Sequence, residues 1–388
     1  MTIGTPARRQ GGLSYIQAMH PLTKLYIEPT SQCNLACRTC LRNVWDEPSG
    51  DMAAATFARL LEGLRAFTPA PTVFFGGLGE PLAHPHIVEM VTQVKALGSP
   101  VELITNGTLL TEEVSRGLIA ARLDVLWVSI DGATPESYAD VRLGAALPEV
   151  IANVARFRDL RRTWIFQLPT PEIGIAFVAM KRNIADLPAL LRLAGRLGAS
   201  RFLVTNVLPY TAELRGEVLY ARALTDIAYL SSRWVPRLSL PKMDVNEVTR
   251  GPLYQALRSG RNVTFAGSNL GGANDRCPFV ESGAAAVAWD GGFSPCLPLL
   301  HSHVSFADER ECFFRRWIVG NAADRGLSAL WNAPEHVAFR ERVQTFDFSP
   351  CAVCGGCDLS QSNEEDCYGN TFPTCGSCLW AQGVIRCP

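Results

Sequence analysis

Two periodicities take turns along the chain between residue 23 and about residue 210. Short β-like runs at 24–28, 72–75, 101–105, 125–130, 173–180 and 201–207 predict strands. The stretches between them, 53–67, 86–97, 112–121, 147–160 and 184–197, have the patterning of amphipathic helices. Strands separated by helices build a parallel sheet through right-handed crossovers. Six such units are too few to close an eight-stranded barrel. The pattern therefore predicts an α/β fold with a partial (βα)6 TIM-like barrel, whose chemistry sits on loops beyond the carboxyl ends of the strands.

The pattern weakens after residue 215. A helix is expected over 216–234, followed by Pro236, Pro241, Gly251, Pro252 and a Gly/Asn-rich stretch at 267–274, so 216–275 reads as a bridge. Residues 276–388 are rich in Cys, Gly and aromatics and poor in periodicity, as in segments held together by metal more than by a core. The expected organisation is an N-terminal extension (1–22), the barrel (23–215), the bridge and a small irregular Cys-rich domain.

The cysteines sharpen this division. Of 13, three lie at 33–40, none lies between Cys40 and Cys277, and ten follow from Cys277 onward. Cysteine used for packing would be scattered, so the distribution predicts two metal-binding regions around a cysteine-free body. No secretory h-region accompanies Arg8 and Arg9, and no apolar stretch is long enough to span a bilayer. A cytoplasmic location is expected, where thiols stay reduced rather than forming a disulfide framework. The net charge of −1 carries no clustered basic excess, which argues against nucleic acid and against a membrane surface.

Cys33, Cys37 and Cys40 form a C-x3-C-x2-C triplet directly after the first apolar run. Three thiolates on one loop can hold three irons of a cubane cluster, leaving the fourth iron open to a small molecule. Zinc, which takes four ligands in paired spacings, fits a lone triplet less well. Gly76-Gly77-Leu78-Gly79-Glu80-Pro81 follows the second run and reads either as a plain turn or as a loop whose backbone approaches a ligand. The third run ends in Thr105-Asn106-Gly107-Thr108 and the fourth in Ser129-Ile130-Asp131-Gly132, which put small polar side chains at strand ends. Arg142 is either a solvated helix arginine or a carboxylate partner.

Together these motifs resemble the radical SAM superfamily. The resemblance implies that the cluster held by Cys33, Cys37 and Cys40 is a catalytic [4Fe-4S] cluster whose open iron chelates the amino and carboxylate groups of S-adenosylmethionine. Gly76, Gly77, Gly79 and Glu80 match the element that holds the methionine amino group, with Leu78 and Gly79 inserted relative to its shortest form. Thr105 and Asn106 match a family motif at the end of the third strand, and Ser129 and Asp131 match the Ser-x-Asp of the fourth. Arg142 would pair with the SAM carboxylate, residues 176–180 would line the adenine, and Asn206 would contact adenine or methionine. Thr39 stands where relatives usually carry an aromatic residue. The implied chemistry is one-electron cleavage of SAM to methionine and a 5′-deoxyadenosyl radical, with an external reductant such as ferredoxin or flavodoxin.

The tail carries Cys277, then Gly291-x4-Cys296, Cys351-x2-Cys354-x2-Cys357, Cys367, Cys375-x2-Cys378 and Cys387. Its C-x2-C pairs suit zinc or iron–sulfur. The arrangement resembles the SPASM extension of radical SAM maturases, which implies one or two auxiliary [4Fe-4S] clusters, although the spacings around Cys357 depart from the usual ones. Cys312, beside Phe313 and Phe314, reads as a structural thiol. The stretches 42–48, 74–81, 354–367 and 375–383 resemble the maturases of tungsten-cofactor oxidoreductases. That resemblance implies a protein or peptide substrate, a tungstopterin oxidoreductase as partner, or modification of its pterin cofactor. Small-molecule radical chemistry and a non-catalytic electron-transfer protein are the competing readings.

Overall fold

The structure, a computed structural model, describes residues 21–163, 171–221, 223, 237–257, 262–265, 276–307, 309–352, 354 and 357–388. Strands β1 (Lys24–Ile27), β2 (Thr72–Phe75), β3 (Val101–Thr105), β4 (Val125–Ser129), β5 (Glu172–Ala179) and β6 (Arg201–Asn206) fall within one residue of the expected runs. They pair in parallel, in chain order, as βα crossovers require. The crossover helices are α1 (Ala54–Leu64), α2 (Ile87–Ala96), α3 (Glu112–Ala120), α4 (Pro135–Val141), α5 (Leu147–Thr163) and α6 (Leu187–Arg196). Thr111 caps α3 by accepting from Val114 N, and Thr134 and Ser137 form a capping box on α4.

The sheet is wider than the six strands expected. It runs on through β7 (Arg237–Leu240) and β8 (Asn262–Phe265), both parallel, which come from the segment read as a bridge. Four-residue strands set among prolines and glycines carry too few alternations to show a period. The expected helix over 216–234 lies mostly outside the described residues. Of its described part, only Gly216 is α-helical, as the last residue of α7 (Ala212–Gly216), and Leu219 instead gives its carbonyl to Asp244 N. At the other edge, β9 (Ala284–Val287) from the Cys-rich segment pairs in parallel with β1. Beyond it β10 (Gly292–Ser294) and β13 (Gly320–Asn321) follow in antiparallel, and β11 (His303–Ala307) and β12 (Arg310–Phe314) form a separate hairpin.

Alternate side chains of the parallel strands serve two cores. Leu25, Ile27, Val73, Phe75, Leu103, Leu126 and Val128 face the helices, where they meet Leu60, Val91, Leu118, Val154 and Phe157. Tyr26, Phe74, Val125 and Trp127 face the other way and pack with Phe279, Leu299, Leu300 and Phe339 of the Cys-rich segment. The tail therefore covers the inner face that an unclosed barrel leaves bare. Phe75 is fully buried in the helix-side core, so Phe75→Ala is expected to cost about 3–5 kcal/mol in anaerobic urea unfolding. A loss below about 1 kcal/mol would contradict this packing.

Candidate active site

The triplet loop leaves β1 and is pinned by backbone groups before any metal is considered. Arg38 N donates to Val141 O at the end of α4, Tyr210 OH donates to Arg38 O, and Asn43 Nδ2 donates to Cys37 O at 2.8 Å. Cys33, Cys37 and Cys40 all line one cavity of about 680 Å³, counting its open mouth. Burial raises the thiol pKa of Cys37 and of Cys40, against the pull of Arg142 on the first and of the Arg42 backbone on the second. These sulfurs are thus neutral thiols unless a metal takes their protons.

The 76–81 loop forms the facing wall. A Cβ at Gly79 would collide with the carbonyl oxygen of Thr30, and one at Gly77, where φ is +151°, would lie 2.7 Å from Glu28 Cγ. Only glycine lets this backbone run so close to the triplet loop. Glu80 is buried and spends its carboxylate inside the protein. It accepts from Leu82 N at 3.0 Å, Thr105 Oγ1 at 2.7 Å and Asn106 N at 2.7 Å, which ties the loop after β2 to the end of β3. Burial raises its pKa, and these three hydrogen bonds work against the rise. Asn106 turns its amide to Asn34 Oδ1 at 2.9 Å and lies 3.9 Å from Cys33 Sγ.

Ser129, Thr105, Asn106 and Arg142 line the cavity. Asp131 stands behind them, fully buried, accepting from Val178 N at 2.7 Å and pairing with Arg142 Nε at 2.6 Å. That pair raises the Arg142 pKa despite the opposing effect of burial, and it aims Nη1 at Cys37 Sγ, 3.8 Å away. Arg142 is mostly enclosed, its side chain 12% exposed, rather than a solvated helix residue. Asn206 sits apart from the others: its amide donates to Lys242 O and Val384 O, so it fastens the tail to β6.

A second cavity of about 970 Å³, again counting its open mouth, shares Gly77, Leu78, Ile104 and Ser129 with the first and extends along the inner face of the sheet. Tyr26, Phe74, Leu203, Leu297, Leu300 and Trp380 make it apolar, and Glu28, His301 and Cys387 lie on its wall. Glu28, His301 and Trp380 were not expected from the sequence. Position beside the first strand end was the one available signal for Glu28; the other two sit in the aperiodic tail.

The tail thiols fall into two neighbourhoods. Cys296 and Cys375 are buried in the inner core, with Cys277, Cys378 and Cys387 packed against it. Burial raises Cys296 far above the usual thiol range, and the thiols of Cys277, Cys378 and Cys375 add to the rise. Cys387 accepts from Trp380 Nε1 at 3.3 Å. Cys351 is raised by burial, with Asp366, Cys367 and Cys354 acting from nearby, and Cys357 lies on the same stretch of chain. Cys312 is buried between the two, feels both Cys351 and Cys378, and donates toward Ser377 Oγ at 3.8 Å. Among the described residues, no three His, Cys, Asp or Glu side chains converge closely enough to hold a single metal ion. The donor set of the first cavity, three thiols on one loop facing a glycine backbone, fits a three-cysteine [4Fe-4S] cluster with SAM beside it.

The sequence profile of the radical SAM superfamily matches residues 27–172, and that of the SPASM iron–sulfur cluster-binding domain matches 277–358. The chain belongs to the radical SAM superfamily, among its SPASM-bearing members, and it is an enzyme that uses SAM. It is 31% identical over 372 residues to the tungsten-containing aldehyde ferredoxin oxidoreductase cofactor-modifying protein of Pyrococcus furiosus, covering 94% of this chain and 96% of that one. It is also 30% identical over 191 residues to the PqqA peptide cyclase of Gluconobacter oxydans, about half of each chain (49% and 51%). Its fold resembles that of SuiB from Streptococcus suis bound to the precursor peptide SuiA, with a TM-score of 0.56, 14% identity, and 90% and 74% of the two chains covered.

Gly79→Ala is expected to push the 76–81 loop off Thr30 and lower the rate of 5′-deoxyadenosine formation roughly a hundredfold. A rate within about twofold of the parent, measured on anaerobically reconstituted protein, would show that the close approach is not needed.

Proposed function

We propose that this enzyme is a maturase that modifies a protein, a peptide or the pterin cofactor of a tungsten-dependent oxidoreductase. The observation that carries the reading is the shared wall between the triplet cavity and the apolar chamber, with a tail thiol, Cys387, also lining the chamber. Cys33, Cys37 and Cys40 would hold the cluster, which when bound and reduced by one electron would supply the cleavage of SAM to methionine and a 5′-deoxyadenosyl radical. The chain's own residues orient and enclose. Gly77 and Gly79 bring backbone groups to the methionine end, Arg142 sets a cation beside Cys37, and Ser129 stands at the passage between the cavities. Tyr26, Phe74, Ile104 and Leu300 keep the chamber apolar, which protects a carbon radical from water.

Two tail neighbourhoods support two auxiliary [4Fe-4S] clusters, one drawn from Cys277, Cys296, Cys375, Cys378 and Cys387 and the other from Cys351, Cys354, Cys357 and Cys367. The tungsten reading is supported by the near full-length similarity to the Pyrococcus furiosus protein, and a peptide substrate by the similarity to the PqqA peptide cyclase. Ferredoxin or flavodoxin is the proposed electron source, and the cytoplasm the proposed location. Among the described residues, no helix is long and apolar enough to cross a membrane.

The test combines metal analysis with turnover. About twelve irons in the parent and about eight in the Cys33/Cys37/Cys40→Ala variant are expected, since each cubane holds four. Four or fewer irons with stoichiometric zinc would overturn the auxiliary-cluster assignment. Incubation with SAM, dithionite and the immature tungsten oxidoreductase is expected to give 5′-deoxyadenosine together with a mass change in that protein or its cofactor. Deoxyadenosine with neither change would overturn the maturase reading.

A further inference from the structure

His301 bridges two carboxylates where three segments meet. Glu28, at the carboxyl end of β1, has a fully buried side chain; its Oε1 accepts from Leu78 N at 2.9 Å and its Oε2 lies 2.9 Å from His301 Nε2. His301 Nδ1 lies 2.7 Å from Glu47 Oε2, and Glu47 Oε1 accepts from Ser302 N at 2.9 Å. The imidazole is nearly as buried as Glu28, and Trp45 packs on it with ring centroids 4.4 Å apart. A carboxylate at each ring nitrogen calls for an N–H at both, and only the imidazolium has two.

We propose that His301 is a positioning residue for S-adenosylmethionine: its imidazolium, clasped by Glu28 and Glu47, is how the C-terminal domain holds the 76–81 loop in its binding conformation. Glu28 touches that loop twice, through the Leu78 N–H and through the packing of Gly77 on its Cγ. Glu47 lies on the chain that leaves the cysteine triplet, and His301 follows Cys296 by five residues. One cation therefore joins the SAM loop, the cluster loop and the auxiliary thiol region. Without it, the buried Glu28 carboxylate and the partly buried Glu47 carboxylate face each other with nothing between, and Glu28 swings away from Leu78.

The charges around the ring favour the cation. Burial alone would lower the His301 pKa, but the hydrogen bonds and charges of Glu28 and Glu47 prevail and raise it to about 9. The other charged or titratable neighbours are Arg316, 3.5 Å from Glu47 Oε2 and itself 3.4 Å from Asp290, and His303, whose pKa burial lowers so that it stays neutral. Because the folded value lies above the ordinary one, the clasp is intact at neutral pH and is lost as pH rises through about 9.

The test needs only SAM and the full-length reconstituted holoenzyme, whatever its substrate. SAM dissociation constants and dithionite-driven 5′-deoxyadenosine formation are measured from neutral pH into the alkaline range, with iron content as the folding control. The parent is expected to hold its affinity at neutral pH and lose about tenfold through the alkaline limb, while H301Q is weak throughout and has no limb. In E47Q the limb is expected to move down by about one pH unit, a shift that a purely structural contact would not produce. H301Q binding SAM as the parent does, with the same limb and the same iron content, would overturn the proposal. If H301Q loads no iron, the decision falls to E47Q, and an unmoved limb there overturns it equally.

Discussion

An unclosed parallel sheet has an inner face that something must cover. Here the helices satisfy one side, and the side chains on the other, Tyr26, Phe74, Val125 and Trp127, have the Cys-rich tail as their partner. Those rings and chains are large, so leaving them to water would forfeit roughly 1.5–3 kcal/mol each. The tail is in turn stitched into the sheet by β9 and fastened at its end by Asn206, Tyr26 and Lys24. Because the cover lies along that inner face, it turns an open cleft into a chamber. Through this fit one tail thiol, Cys387, comes to lie on the chamber wall.

Within the cleft, buried charges do the arranging. Glu80 and Asp131 are both nearly inaccessible to solvent, and each finds its partners within the protein. A buried pair such as Asp131 and Arg142 is weak grounds for claiming stability, since desolvation offsets much of its attraction. Its effect is geometric: the guanidinium is held beside Cys37 and cannot wander. Glu80 does the same for two loops at once. The site is thus held rigid from behind, and it presents to the cavity three thiols, the glycine backbone and polar side chains that include Ser129, Asn106 and Arg142.

The barrel was legible because its strands alternate with helices, and the strand boundaries moved by no more than one residue. The site motifs were legible for a related reason, since strand ends such as Thr105-Asn106 and Ser129-Ile130-Asp131 can be placed once the strands are. What escaped was set by contacts between distant segments. Strands β7 to β9 are four residues long and borrow their order from neighbours. Asn206 has the residue type and position of a ligand contact, yet its amide goes to carbonyls 36 and 178 residues away. His301 has no motif around it, and its surroundings exist only when β1, the loop after the triplet and the tail have come together.

The central claim is that Cys33, Cys37 and Cys40 hold a cluster that binds SAM at the mouth of this chamber. Electron paramagnetic resonance of the dithionite-reduced holoenzyme, with and without SAM, tests it most directly beside the variant lacking those three thiols. The account predicts a spectrum that changes when SAM is added to the parent and does not change in the variant. An unchanged parent spectrum, or the same change in both proteins, would contradict it.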